Sequence, residues 1–168
     1  MKRQLLVLRH GEAENSSGIE DVDRALALRG YAETELIAKW LLAEGYVPEL
    51  IMGSSAERAA ATAFHAASIL ELDETAVAVD RKLYLVPKKT ILDFVGTLPD
   101  EMQCVMIVGH NPGLEDFVSA VIGYDSFANT GGRMGTATVV CLEFEGNWNE
   151  IMLALPKLKF LKRPIDVV

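Results

Sequence analysis

Apolar positions along the chain fall into short unbroken runs separated by longer stretches of helical periodicity. Leu5-Leu6-Val7-Leu8, Leu50-Ile51-Met52 and Cys104 to Val108 are each wholly apolar and end in polar residues or glycine. Runs of this length without alternation predict strands buried on both faces. Ala76 to Val79 adds another short strand. Between Ala32 and Ala43, Leu36, Ile37, Trp40 and Leu41 share one helical face, and Gly45 offers a stop. From about Ala56 to Leu70 the chain is rich in alanine, the best helix former, with Ser54 or Ser55 available as cap. Pro87-Lys88-Lys89 opens a helix carrying Ile91, Leu92, Phe94 and Val95 that ends near Gly96. Asn111 as cap and Pro112 at the first helical position start a last one, with Leu114, Phe117, Val118, Val121 and Ile122 as its apolar face.

The final third has a different rhythm. Thr136 to Phe144 is β-rich, Glu145-Gly146-Asn147 is a turn, and Trp148 to Leu155 is β-like again, which predicts an antiparallel hairpin at one side of the sheet. The basic stretch from Pro156 to Pro164 then reads as a surface tail. Residues 12–30 are polar, with Asn15-Ser16-Ser17-Gly18 at their centre, and predict a loop with one turn of helix. Strands alternating with helices from residue 5 to 122 predict an α/β fold. The expected architecture is a three-layer α/β/α sandwich with a mainly parallel central sheet and a C-terminal antiparallel hairpin, in one domain over residues 1–168.

Composition narrows the function. The 168 residues carry a formal charge of -8, and the pI is about 4.9. Such a surface does not suit nucleic acid, and any phosphate pocket must be locally positive against this trend. Cys104 and Cys141 sit in apolar runs and read as buried free thiols, with no spacing suited to zinc. The apolar run after Met1-Lys2-Arg3-Gln4 stops at four residues, too short for a signal peptide, and no segment has the length to cross a membrane. A cytoplasmic location is therefore expected.

Three histidines are present, His10, His65 and His110. His10 and His110 each follow a predicted buried strand directly and lie beside glycine. Ligands of α/β sheets gather at these carboxyl ends of strands. If the two strands are parallel neighbours, both rings meet despite 100 residues of separation. Arg9 adjoins His10, and its guanidinium fork suits two phosphate oxygens. Arg58 stands early in the alanine-rich helix, where the helix start is already electropositive. Arg24 and Arg29 are less defined, and Asp23-Arg24 suggests a local pair.

Four stretches carry a resemblance: Leu8-Arg9-His10-Gly11-Glu12-Ala13, Arg24-Ala25-Leu26 with Arg29-Gly30, Ser54-Ser55-Ala56-Glu57-Arg58-Ala59-Ala60-Ala61-Thr62-Ala63, and Val108-Gly109-His110-Asn111-Pro112-Gly113. In order and spacing the chain resembles the histidine phosphatase superfamily, formerly grouped around phosphoglycerate mutase, and within it the small SixA-type phosphohistidine phosphatases. The resemblance implies that His10 is the nucleophile and that Arg9, Arg58 and a protonated His110 surround the phosphoryl group. No metal is required, since these cations can supply the compensating charge, and no cofactor is expected. A hydrogen bond from His10 to a backbone carbonyl would fix the ring's tautomer, with Gly11 leaving room for it.

The pattern also departs from that of larger members, which carry a glutamate or aspartate general acid after the third strand. Here that position falls around Leu83 to Leu85, without a carboxylate; Asp80 comes too early and reads as a strand end or turn cap. A protonated imidazole leaves without strong enzymic acid, unlike an alkoxide. The missing acid and the little chain left over for a lid both point to phosphohistidine on a protein, including a phosphorelay domain. Glu12, Glu14 and Asn15 remain candidates for proton transfer or substrate contact, Glu12 alternatively as a brace for Arg9 or Arg58. Gly11 and Asn111 are further binding candidates, Asn111 foremost as a helix cap. Two alternatives stay open: a phosphatase for a small phosphorylated metabolite or pyrophosphate compound, and a non-catalytic phosphate-binding module. Oligomeric state is not encoded in any motif.

Overall fold

The structure, a computed structural model, describes residues 1–15 and 17–168. Ser16, within the expected loop centre, lies outside the described residues. The elements in chain order are β1 (Lys2–Arg9), α1 (Leu28–Ala43), β2 (Leu50–Ser54), α2 (Glu57–Ile69), β3 (Val77–Asp80), α3 (Lys88–Val95), β4 (Cys104–Gly109), α4 (Gly113–Ile122), α5 (Tyr124–Ala128), β5 (Val139–Glu145) and β6 (Lys157–Lys162). The six strands form one sheet in the order β3-β2-β4-β1-β5-β6. The first four are mutually parallel, while β5 runs antiparallel to β1 and β6 antiparallel to β5.

Alternation along the central strands sorts the core into two layers, as the two-residue period of a strand requires. Leu5 and Val7 of β1, with Val105 and Ile107 of β4, pack under α3 and α4. Leu6 and Leu8, with Met106 and Val108, pack under α1 and α2. Helices thus cover both faces, giving the expected three-layer α/β/α sandwich. Alanines 59, 63, 66 and 67 of α2 are the residues that meet this second face. Their small side chains let the helix lie close to the sheet.

Several local expectations are corrected. The strand partner of β5 is Lys157–Lys162, not Trp148 to Leu155. Residues 148–150 form a 3-10 turn held by a reciprocal Asn147–Glu150 cap. Trp148 is buried in the core, whereas Leu153 and Leu155 are exposed, so that stretch has no two-residue alternation of burial. The alternation lies instead in Lys157-Leu158-Lys159-Phe160, a pattern suited to an edge strand guarded by lysines. The first helix begins at Leu28 rather than Ala32. Its entry is fixed by Gly30, where an added Cβ would come 2.3 Å from the Glu12 carbonyl oxygen. Its exit follows expectation: Gly45 has a φ of 80°, and Tyr46 N–H closes on the Leu41 carbonyl at 2.8 Å.

Asn111 and Pro112 do not serve as cap and first helical residue. The helix begins at Gly113, Pro112 precedes it without a side-chain cap, and the Asn111–Pro112 peptide is cis. Neither Ser54 nor Ser55 caps α2, whose preceding residue is Ala56; Ser54 Oγ accepts from Ala56 N–H, one residue short of the helix. Asp80 does end β3, and its side chain accepts from Lys82 N–H. Both cysteines are free, Cys141 buried and Cys104 half-buried. No helix among the described residues is long and apolar enough to cross a membrane.

Candidate active site

Three adjacent parallel strands end at one level, and the site stands on their ends. The β1–β4 ladder sets Arg9 opposite Gly109. The next residue on each strand is a histidine. His10 N–H donates to the Gly109 carbonyl at 3.1 Å, and the His10 and His110 ring centroids are 5.1 Å apart. Ser54 ends β2, the other neighbour of β4. Arg58 reaches in from the first turn of α2. His10, Arg58 and His110 are 7%, 4% and 4% exposed, so their polar atoms must find partners inside the site.

Those partners set the proton positions. His10 Nδ1 lies 2.7 Å from the Gly11 carbonyl oxygen, which only accepts. Nδ1 therefore carries the hydrogen, and Nε2 presents a lone pair. Arg58 Nε–H points at that lone pair from 3.4 Å. Arg58 Nη2–H meets His110 Nδ1 at 3.3 Å. A guanidinium cannot accept, so His110 Nδ1 is bare, and its Nε2–H donates to Ser54 Oγ at 2.7 Å. Both rings are thus neutral. Burial, with Arg58, Arg9 and Arg24 beside it, pushes His10 down to about 4. Burial, then the neighbouring His10 and Arg58, pushes His110 down to about 3. Cations around a desolvated ring thus oppose the protonation that is expected of His110 beside a phosphoryl group.

The rest of the site is built around these groups. Arg9 donates through Nη1 to the Met134 carbonyl at 3.0 Å, and its buried Nε has no partner. Asn111 Nδ2 donates to the same carbonyl at 2.8 Å and to Glu115 at 2.9 Å. Asn111 therefore ties the segment before β5 against Arg9, which is its role in place of the expected cap. Thr62 sits one turn after Arg58, donates to the Arg58 carbonyl and accepts from Gly11 N–H at 3.0 Å. A cleft of ≈ 390 Å³ opens over these groups, lined by Arg9, His10, Glu12, Arg24, Arg58, Leu85, His110, Asn111 and Thr136 among others.

The sequence candidates divide accordingly. Arg9, His10, Arg58 and His110 converge on the cleft. Glu12 lines it, but its carboxylate pairs with Arg29 at 3.3 Å rather than with Arg9 or Arg58. Glu14 and Asn15 are exposed and do not line the cleft. Arg24 pairs with Asp21 at 3.1 Å, not with Asp23. Among the described residues no three His, Cys, Asp or Glu side chains gather to hold a metal ion.

Four contributors were not singled out from sequence. Ser54 holds His110, Thr62 holds Gly11, and Asp21 and Tyr84 meet at Arg58: Asp21 Oδ2 accepts from Arg58 Nη2 at 3.0 Å and from the Tyr84 hydroxyl at 2.5 Å. Thr62 and Ser54 left a signal, as hydroxyl residues flanking Arg58 in an otherwise alanine-rich run. Asp21 is one of several acids in a polar loop, and only the fold brings it to an arginine 37 residues away.

No protein-family model matches the chain. An uncharacterized protein of Mycobacterium tuberculosis strain H37Rv is 27% identical over 149 residues, spanning 86% of this chain and 91% of that protein. Among solved structures, a protein of Agrobacterium tumefaciens provisionally named phosphohistidine phosphatase SixA is 28% identical, with a TM-score of 0.83 over 96% of this chain and 98% of its own. The protein histidine phosphatase SixA complexed with tungstate is 19% identical, with a TM-score of 0.80 over 98% and 99% of the two chains. In sheet order, layers and near-complete overlap, the chain is structurally similar to these SixA-type phosphohistidine phosphatase structures.

Proposed function

We propose that the chain is a phosphohydrolase that takes a phosphoryl group onto His10 Nε2 and passes it to water, acting on phosphohistidine in a protein. A phosphatase-type activity suits the fold and the site alike. The observation that carries the finer reading is the pair of hydrogen bonds around His10. Gly11 oxygen fixes the proton on Nδ1, and Arg58 faces the Nε2 lone pair. A neutral, oriented imidazole beside a cation is what attack on phosphorus needs.

In the first step the His10 Nε2–P bond forms as the P–N bond to the substrate ring breaks, and the departing ring takes a proton from solvent water and leaves as neutral imidazole. Arg9 and Arg58 hold the phosphoryl oxygens and stabilise charge as it develops. A phosphoryl dianion entering this cluster favours the charged form of His110, so the ring gains a proton at Nδ1 and donates it to an oxygen. In the second step water attacks phosphorus, the His10–P bond breaks, and inorganic phosphate leaves. Arg9, Arg58 and His110 supply the compensating charge, without a metal or other cofactor. Leu85 lines the cleft wall, within the Leu83 to Leu85 stretch where the resemblance implied an acid, and it favours a leaving group that needs little proton donation.

Rapid quench with labelled phosphoramidate or a labelled phosphohistidine protein tests this reading. Acid-labile, base-stable label is expected on the wild type and none on His10→Ala. Wild-type protein that labels no histidine under single-turnover conditions overturns it. Faster turnover of sugar phosphates or nucleotides than of the phosphoprotein would favour the small-molecule reading.

A further inference from the structure

We propose that Asp21 is a positioning residue that sets the direction in which Arg58 faces the phosphoryl group, with Tyr84 fixing Asp21 in turn. The proposal rests on the phosphatase reading above and adds to it a residue outside the quartet.

The geometry of one guanidinium carries it. Arg58 has two usable edges. The edge made by Nε and Nη2 faces His10 Nε2 at 3.4 Å and His110 Nδ1 at 3.3 Å. These contacts are long, and their acceptors are neutral ring nitrogens. The edge made by Nη1 and Nη2 faces Asp21 alone, with the backbone carbonyl at 2.7 Å and Oδ2 at 3.0 Å. These contacts are short, and one acceptor is a carboxylate. Short bonds, one of them between full opposite charges, outlast bonds of 3.3–3.4 Å to neutral acceptors. An arriving phosphoryl oxygen therefore exchanges with the ring nitrogens and leaves the Asp21 edge in place. Arg58 pivots on Asp21, and its inner edge is held toward the space between the two rings.

Asp21 is itself held from three directions. Tyr84 hydroxyl donates to Oδ2 at 2.5 Å, and Arg24 Nη1 donates to Oδ1 at 3.1 Å. The Asp21 carbonyl accepts from Arg24 N–H as well as from Arg58. Tyr84's hydrogen bond foremost, with those of Arg58 and Arg24, holds the carboxyl well below the usual carboxylate range, so it stays charged. The Tyr84 ring also packs edge-on against His110, centroids 5.4 Å apart. One hydroxyl thus links the arginine brace to the second histidine.

Coulomb's law alone makes the opposite prediction, which makes the test sharp. Removing a negative charge beside an anion site should tighten anion binding. Loss of a positioning contact should weaken it. Full-length Asp21→Asn, Tyr84→Phe and the double variant are titrated with sodium tungstate by calorimetry, and their kcat and KM are measured on phosphohistidine protein. Asp21→Asn is expected to bind tungstate about tenfold more weakly and to lose more in kcat than in KM. Tyr84→Phe should do less, and the double variant no more than Asp21→Asn, since both act through one carboxylate. Unchanged or tighter tungstate binding by Asp21→Asn overturns the proposal, as does full additivity in the double variant. Wild type that binds tungstate but does not turn over phosphohistidine defeats the substrate reading, while the tungstate titration still decides Asp21.

Discussion

Two arginines are almost fully buried, at opposite ends of the sheet, and they are used differently. Arg3, 2% exposed near the start of β1, spends its donors on the chain itself. It reaches the Gly146, Asp100 and Met102 carbonyls at 2.6, 2.9 and 2.6 Å, and its guanidinium lies 5.3 Å from the Trp148 ring centre. Arg58 is 4% exposed, yet one of its edges meets only neutral nitrogens. Burial and residue type do not separate a structural arginine from the one proposed to hold the phosphoryl group. What separates them is whether strong acceptors already occupy every edge.

The largest effects break this comparison from both sides. Arg58→Ala should lower kcat/KM by roughly 100- to 1,000-fold, as loss of a charge-stabilising donor does, with thermal stability changed little. Arg3→Ala should do the reverse. Removing it takes donors from three part-buried carbonyl bonds, of which Met102's keeps Trp148 Nε1–H, and removes the packing on Trp148, so stability falls while turnover per folded molecule holds. Urea titration with kinetics on both variants checks the pair. Loss of activity in Arg3→Ala at full folding would erase the distinction.

An intermediate effect is expected at Ser54. Ser54→Ala strips the His110 Nε2–H of its partner and frees the tautomer, costing about 1–3 kcal/mol of stability and weakening oxyanion binding. Differential scanning calorimetry with and without tungstate reads both. A pH series sharpens the same point. His10 and His110 have native pKa values near 4 and 3, below their unfolded value of about 6.5. Their neutral burial therefore stabilises the fold fully above pH ~6.5, and this contribution is lost as pH falls toward their native values. The melting temperature should drop between pH 6.5 and 4, less steeply in His110→Asn. At the small end, Glu12→Gln should leave kcat/KM unchanged, because its partner Arg29 is exposed.

The layered fold was legible because buried parallel strands announce themselves as unbroken apolar runs. The quartet was legible because each member abuts a strand end or a helix start. The edge strand was missed for a physical reason: Lys157 to Lys162 alternates lysine with apolar residues, and its charge read more loudly than its period. Asp21 and Tyr84 were missed because neither lies on a strand end. Asp21 reaches Arg58 from a segment whose ends Ala13 and Leu26 form an isolated antiparallel bridge, and Tyr84 comes to it from beyond β3. Asn111 was misread because capping is local, whereas its actual partners come from α4 and the segment before β5.

The pairing of Arg9 with Gly109 has a further consequence. Strands β1 and β4 are far apart in the chain, so pairing them carries a loop-closure cost that local contacts do not. The imidazole pair does not exist until that ladder has zipped along its whole length. On the proposed reading, a chain in which these two strands have not paired lacks the site.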